Sequence, residues 1–177
     1  MTNTWDEDRI TADLYTEIIF AWRDEPKASC THNLAPHSQF PLYPKENKAG
    51  SPRKIDFVFR KGYEEQVYFA FECKIVDHNN GNLTYKYVKL GMRRYIEGNY
   101  ASKMPAGGMI GYMFNDQITP TVDTINSQIL SQVGMSANDY LNKGSIQIDG
   151  FGDVFISNHI RTKDCTHFMI YHLFFPF

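Results

Sequence analysis

Two strands joined by a polar turn are predicted by residues 53–76, RKIDFVFRKGYEEQVYFAFECKIV. Residues 55–60 place an apolar side chain at every second position, which is the two-residue period of a strand. Residues 67–76 form a second apolar and aromatic run, rich in strand-forming residues and too short to span a membrane. The polar residues 61–65 between the two runs predict the turn.

Charged residues interrupt these apolar strands at Asp56, Glu72 and Lys74. Since successive side chains of a strand alternate between faces, Glu72 and Lys74 point to one face and Cys73 to the other. Buried charges are costly unless they are paired or bound to a metal. If the strands pair as a hairpin, Asp56 approaches Glu72, and Mg²⁺ or Mn²⁺ would relieve the repulsion between the carboxylates. A buried Glu72–Lys74 ion pair that only fixes packing is the structural alternative.

Asp56 followed by Glu72-Cys73-Lys74 resembles the Asp…Glu-X-Lys signature of the PD-(D/E)XK, or restriction-endonuclease-like, nuclease superfamily. The resemblance implies that Asp56 and Glu72 bind the metal and that the backbone carbonyl of Cys73 is a further ligand. It also implies that Lys74 positions or activates the attacking water.

The same resemblance implies the fold. It covers residues 5–115 in element order and departs from the family pattern at Ile55, where many members carry proline. We expect a single domain over residues 1–177 of the α/β (α+β) class. Its restriction-endonuclease-like core would be a mixed central β-sheet flanked by helices, followed by a C-terminal β-hairpin.

Composition indicates one globular domain in the cytoplasm. The chain has 177 residues, a net charge of −2 and no apolar stretch of membrane-spanning length, so we expect no membrane partner. Its acidic start lacks the apolar core of an export signal, and an odd number of cysteines without CxxC spacing favours reduced thiols. The net charge argues weakly against nucleic acid, but basic residues cluster near residues 45–61 and 86–94.

A first helix is predicted from the capping box Thr4-Trp5-Asp6-Glu7 to Glu25-Pro26. Relatives in this superfamily often carry an extra acid on their first helix beside the metal. Glu7 and Glu17 flank the apolar stripe of this helix and are the two candidates for that metal-binding role. Alternatively, Glu7 only completes the cap, and Glu17 only extends to solvent.

Residues 26–52 are predicted to be a long polar loop with five prolines. Cys30, His32 and His37 suggest zinc, but their spacing matches no common ligand pattern and a fourth ligand is missing. A flap, a substrate-contact loop or a plain surface excursion is the preferred interpretation.

A second helix is predicted from about Tyr85 to Glu97, capped by Thr84. In this superfamily the helix after the Glu-X-Lys strand flanks the active site, so Lys89, Arg93 and Arg94 are candidate nucleic-acid contacts. An amphipathic helix with a packed tyrosine-rich face is the alternative.

The remaining pattern predicts a buried strand at residues 107–114, a helix at 120–133 and a short strand at 145–149. Two more strands, residues 153–160 and 167–177, are joined by a turn, and the last is either a buried strand or a subunit interface. His159 and His172 are expected to be hydrogen-bonded structural residues rather than acid–base groups.

The predicted function is that of a metal-dependent phosphodiester hydrolase, a nuclease that uses Mg²⁺ or Mn²⁺ and acts on DNA rather than RNA. Restriction, phage defence and DNA repair are the settings that the resemblance implies. The alternative is a catalytically weak or inactive nuclease-fold binding subunit of a larger assembly. Either a homodimer or a partner subunit is compatible with the sequence.

Overall fold

The computed structural model describes residues 6–25, 33–42, 53–62, 67–148 and 152–176. Its helices are α1 Glu7–Asp24, α2 Gly81–Lys86, a π-helical segment Tyr87–Met92, α3 Arg93–Ile96, α4 Ile118–Leu130 and a 3₁₀ turn Ala137–Asp139. Its strands are β1 Leu34–Leu42, β2 Arg53–Lys61, β3 Tyr68–Ile75, β4 Ala106–Met113, β5 Asn142–Ile148, β6 Gly152–Ile160 and β7 His167–Pro176.

The fold is α+β, with a mixed seven-stranded sheet flanked by helices, as the sequence predicts at this level. The strand order is β1-β2-β3-β4-β7-β6-β5. Contacts within the chain divide it into two compact units, Met1–Phe71 and Glu72–Phe177. The single domain predicted over residues 1–177 stays a prediction. In the described ranges, no helix is both long enough and apolar enough to cross a membrane.

The first unit contains α1, which begins at the N-cap residue Asp6. The side chain of Asp6 accepts a hydrogen bond from the backbone N–H of Asp8 at 3.2 Å. This cap satisfies one of the amide groups that the first turn of a helix leaves without a partner. The predicted capping box involves Thr4, which lies outside the described residues.

The first unit also contains a strand that the sequence did not predict. β1 pairs antiparallel with β2, with Pro36 opposite Phe59 and Phe40 opposite Ile55. The prediction of an irregular loop over residues 26–52 is therefore wrong for residues 34–42. Proline removes a backbone donor and is tolerated at a sheet edge, and β1 is the first strand in the described order.

Aromatic side chains fill the space over β2 and β3 in the first unit. The Phe57 and Phe71 rings stack with centroids 4.9 Å apart, and Phe59 and Phe69 both contact Phe71, at 6.0 and 5.0 Å. Phe57 stands directly opposite Phe71 in the antiparallel register. Stacked rings on one face of a strand pair stabilise that register because a shift by one residue would turn them to the other face.

The second unit contains the helical segment that follows β3. Asn80, rather than the predicted Thr84, is its N-cap, and its side chain accepts from the backbone N–H groups of Asn82 and Leu83. Thr84 is instead buried, and its hydroxyl donates to the carbonyl of Gly81. The prediction of a helix here is confirmed, although residues 87–92 widen into π-helical geometry, a local form that frequently occurs at functional sites.

The last strand lies inside the sheet of the second unit. β7 pairs parallel with β4, with Met109 opposite His172, and antiparallel with β6, with Ser157 opposite Ile170. The predicted hairpin of the last two strands is confirmed. Of the two alternatives for the tail, the buried strand is correct, since every second side chain of β7 from Phe168 to Phe174 is buried.

Candidate active site

A buried carboxylate lies in β3, where Glu72 is only 1% exposed. The ammonium Nζ of Lys74 lies 3.0 Å from Oε1 of Glu72 and donates a hydrogen bond to the backbone carbonyl of Cys73 at 2.6 Å. Strand alternation places Glu72 and Lys74 on one face, which is what brings the two charges together. The Glu72 carboxylate and the Cys73 carbonyl, two of the three oxygen ligands that the resemblance implies, therefore bind one nitrogen atom.

A second cation reaches the same carboxylate from α3. Nη1 of Arg94 donates to Oε1 of Glu72 at 2.5 Å and to the hydroxyl of Tyr100 at 2.7 Å. The guanidinium carbon also lies 5.3 Å from the centre of the Tyr100 ring. Charge-assisted hydrogen bonds of this kind are short and stronger than neutral ones, so Glu72 and Arg94 fix each other's position.

The turn that presents Tyr100 is held by a second arginine. Arg161 is 2% exposed, and its guanidinium donates to the backbone carbonyls of Tyr100, Ala101 and Ser102 at 3.3, 2.7 and 2.9 Å. Ala101 adopts a φ of 48°, a left-handed conformation that non-glycine residues rarely take. Arg161 was not predicted from the sequence, because nothing in its local pattern shows that the turn before β4 lies beside it.

A glycine allows the π-helical segment to lie close to Lys74. A Cβ atom at Gly91 would overlap the terminal methyl group of Met109 and lie 3.8 Å from Cγ of Lys74. Since both neighbours belong to the buried or half-buried surface of the sheet, a larger side chain would push the helix away from it. Gly91 thus contributes to the position of Arg94, three residues further along.

The other two predicted nucleic-acid contacts lie on the surface. Arg93 forms an i,i+4 ion pair with Glu97, with Nε 3.2 Å from Oε1, and Lys89 is exposed. Of the three predicted contacts, Arg94 is the one that joins Glu72. The phosphate-binding roles of Lys89, Arg93 and Arg94 stay predictions.

Asp56 lies in the first unit, where it lines a cavity of about 380 Å³ beside α1. Asp56 is half-buried in β2. The other described residues of the lining are Asp8, Thr11, Ala12, Tyr15, Thr16, Ser38 and Gln39. The acid that α1 contributes to this lining is thus Asp8, while Glu7 is half-buried outside it and Glu17 is exposed.

The lining of this cavity is rich in hydrogen-bond acceptors. The hydroxyls of Thr11, Tyr15 and Thr16 donate their protons to the backbone carbonyls of Glu7, Pro36 and Ala12 at 2.8 to 3.0 Å. The lining therefore includes these three hydroxyl oxygens and the carboxylates of Asp8 and Asp56. The spacing of Asp8, Thr11 and Tyr15, at i, i+3 and i+7, is the helical signal that could have identified Asp8.

No protein-family model, no curated protein and no solved structure matches this chain.

The donor atoms suit a hard divalent cation. Carboxylate and carbonyl oxygens, as offered by Glu72 and Cys73 and, in the first unit, by Asp56, are the ligands of Mg²⁺ and Mn²⁺. Within the part of the chain that the structure describes, no group of three or more His, Cys, Asp or Glu side chains is gathered for a metal. The convergence of Asp56 on Glu72 stays a prediction.

Proposed function

We propose that the chain is a metal-dependent phosphodiester hydrolase, an endonuclease that acts on DNA rather than RNA. The observation that carries the proposal is the position of Lys74, whose Nζ lies within 3.0 Å of both Oε1 of Glu72 and the carbonyl oxygen of Cys73. These are the lysine and two of the oxygen ligands that the resemblance to PD-(D/E)XK nucleases assigns to one site. Burying a carboxylate this deeply costs free energy of folding. Charged groups that are kept in spite of this cost often belong to functional sites.

The order of elements supports the same proposal. A helix, a group of strands, a second helical segment and a further strand follow one another from α1 to β4. The sequence predicts helix, strand, strand, helix, strand for a restriction-endonuclease-like core, with the Glu-X-Lys segment on the strand before the second helix, and β1 is an additional strand in this order. A fold can serve many functions, so the site residues rather than this order carry the assignment.

In the proposed site, Asp56, Glu72 and the Cys73 carbonyl hold Mg²⁺ or Mn²⁺. A bound ion of this kind lowers the pKa of a coordinated water and offsets negative charge on the phosphate. Lys74 then donates a hydrogen bond to the attacking water, since its ammonium already lies beside the ligand oxygens. Arg94 keeps Oε1 of Glu72 in place and leaves its remaining N–H groups for a phosphate oxygen.

A binding subunit without catalysis is the second candidate, and one observation favours it. The Lys74 ammonium and the Arg94 guanidinium both bind Oε1 of Glu72, so an entering metal ion must compete with two protein cations. A cluster of this kind also stabilises a fold without any metal. Such a protein would bind nucleic acid as part of a larger assembly and cleave none.

The test is a cleavage assay on supercoiled plasmid DNA and on a structured RNA, with Mg²⁺ or Mn²⁺ and the full chain. We expect nicking of the DNA by the wild type and its loss in Glu72→Gln and Lys74→Ala. Glu97→Gln is the matched control, because Glu97 is an exposed acid of the same unit that pairs with Arg93. Calorimetric titration with Mn²⁺ should show binding that Glu72→Gln abolishes.

A wild type that binds no Mn²⁺ and cleaves neither substrate would overturn the nuclease proposal. DNA binding by that same inactive protein would then support the binding subunit. An active cytoplasmic endonuclease of this kind would serve restriction, phage defence or DNA repair.

A further inference from the structure

Five polar side chains of the second unit form a continuous hydrogen-bonded chain through the core. The atom pairs are Asp139 Oδ1 and His159 Nδ1 at 2.6 Å, then His159 Nε2 and Ser157 Oγ at 2.7 Å. Ser157 Oγ and His172 Nε2 follow at 2.8 Å, then His172 Nδ1 and the Tyr87 hydroxyl at 2.9 Å. Four of the five residues are buried, and the side chain of Asp139, at the end of the chain, is 16% exposed.

This series of hydrogen bonds joins four secondary-structure elements. Ser157 and His159 lie two residues apart on one face of β6, and His172 belongs to the neighbouring β7. Asp139 ends the 3₁₀ turn, where its other carboxylate oxygen, Oδ2, accepts from the backbone N–H of Ser136 at 2.8 Å. Tyr87 is the first residue of the π-helical segment.

The order Asp139, His159, Ser157 is that of a nucleophilic hydrolase triad, but the environment of the serine does not suit that role. Ser157 is fully buried, and its oxygen is held by a second imidazole, that of His172. A nucleophile needs an approach for its substrate and a free lone pair. The chain is therefore better suited to moving or sensing a proton than to attacking a substrate.

The directions of the hydrogen bonds follow from the single proton of Ser157. This hydroxyl can donate to only one imidazole, so it must accept from the other. Asp139 takes the Nδ1–H of His159, which leaves Nε2 of neutral His159 to accept from Ser157. His172 must then carry its proton on Nε2, and its Nδ1 accepts from Tyr87. All four bonds run in one direction, from Tyr87 to Asp139.

The ionisable groups that face His159 come from two other elements, Asp139 of the 3₁₀ turn and His172 of β7, with Tyr87 one bond further along. Burial, assisted by His159, holds the pKa of His172 well below its ordinary value. Burial, assisted by Cys73, raises the pKa of Tyr87 well above its ordinary value. Partial burial opposes ionisation of Asp139, but hydrogen bonds from His159 and Ser136 outweigh it and lower the pKa of Asp139. His159 is the histidine that contacts the carboxylate, so a proton added there is paired with Asp139.

We propose that these five residues form a two-state proton relay, in which protonation of His159 reverses the hydrogen bonds as far as Tyr87. One proton is gained in total. In the protonated state His159 donates through Nε2 to Ser157, Ser157 donates to Nε2 of His172, and His172 carries its single proton on Nδ1 and donates it to the Tyr87 oxygen. The Tyr87 hydroxyl can then no longer donate to His172 and must donate to another acceptor. This removes the hydrogen bond by which Tyr87 ties the start of the π-helical segment to β7. The relay makes that segment, which leads to Arg94, responsive to pH.

The test is nitrogen-15 NMR of the full chain, which distinguishes the Nδ1–H and Nε2–H forms of each histidine. We expect His172 to change from Nε2–H to Nδ1–H at the same pH at which His159 becomes doubly protonated. In Ser157→Ala, His159 should still titrate while His172 keeps one form throughout. Ser127→Ala, on the exposed face of α4, is the matched control and should behave as the wild type.

A second variant tests the same relay from its surface end, where a change disturbs the core least. Asp139→Asn removes the negative charge beside His159, so both histidine transitions should move together to a pH about one unit lower. The proposal is overturned if His172 keeps its form through the His159 titration in the wild type. It is equally overturned if His172 still follows His159 in Ser157→Ala.

Discussion

Nη1 of Arg94 lies 2.5 Å from Oε1 of Glu72, although Arg94 lies on α3 and Glu72 on β3. The same nitrogen atom also donates to Tyr100, so the arginine is oriented by two partners. The carboxylate is nearly inaccessible to solvent, whereas the arginine side chain is 32% exposed. Arg94 therefore has a buried end that stabilises the site and an outer surface that can contact a ligand.

Arg94→Ala should lower the free energy of unfolding by about 1–3 kcal/mol, because it removes a charged hydrogen-bond partner from a buried carboxylate. Arg94→Lys should recover part of this loss, since an ammonium keeps the charge but not the planar geometry. Urea unfolding measures both. Arg93→Ala is the control: its partner Glu97 is exposed, so the change should stay within about 0.5 kcal/mol. Equal losses at the two arginines would contradict a special role for Arg94.

Lys74→Ala should leave the fold intact, because Arg94 still pairs with Glu72 after the lysine is removed. We expect an unchanged far-ultraviolet circular dichroism spectrum and a loss of stability below about 3 kcal/mol. Removing both cations should cost more than the sum of the single changes, since Glu72 then loses both of these ion pairs. A Lys74→Ala protein that does not fold would identify Glu72–Lys74 as a structural ion pair.

Asp8→Asn should weaken the binding of Mn²⁺ by about tenfold if the cavity beside Asp56 holds or orients a cation. The measurement is calorimetric titration of the full chain. Glu17→Gln is the control on the same helix, because Glu17 is exposed and lies outside the lining of the cavity. If Glu17→Gln weakens binding and Asp8→Asn does not, the extra acid of the first helix is Glu17, one of the two candidates predicted from the sequence with Glu7.

Stability should fall as the pH drops below about 6.5, because His172 stays neutral in the folded chain and becomes protonated in the unfolded chain. The unfolded state then binds more protons, so acid favours unfolding by up to about 1.4 kcal/mol per pH unit for this residue. Urea unfolding at pH 7.5 and 5.5 measures the slope. His172→Gln should reduce it, whereas His167→Gln, at an exposed position, should not. Asp139 affects stability in a more acidic range. Because its pKa is lowered in the folded chain, the stability that the ionised carboxylate contributes is lost only below about pH 4.

Local periodicity accounts for the parts of the fold and the site that the sequence predicts. Alternation along β3 places Glu72 and Lys74 on one face, and the same period identifies β6 and β7 as a hairpin. The histidines His159 and His172 were expected to be hydrogen-bonded structural residues, and each has two partners. The strand features depend on neighbours in the sequence, which a pattern can show, whereas the partners of the two histidines include residues 20 and 85 positions away.

Long-range contacts account for what the sequence did not predict. β1 was not predicted because it contains two prolines, Pro36 and Pro41, which argue against a strand. Proline is tolerated in an edge strand, but the sequence does not show that β1 lies at an edge. Arg94 contacts Glu72, and Arg161 contacts the backbone of the turn at Ala101. Each contact joins residues more than twenty positions apart, so a local pattern does not show it. The prediction of Thr84 rather than Asn80 as the helix cap was a local error, since both residue types make good caps.

The position of β7 has a consequence for how the second unit is made. β4 and β6 are synthesised before β7, the strand that pairs with both, so these two pairings can form only after residues 167–176 have been made. β4 ends at Met113, whereas its partner β7 begins at His167. Pairing across so long a stretch of chain is slow and leaves open strand edges exposed in the meantime. A stop codon before residue 167 would leave β4 and β6 without the strand they share.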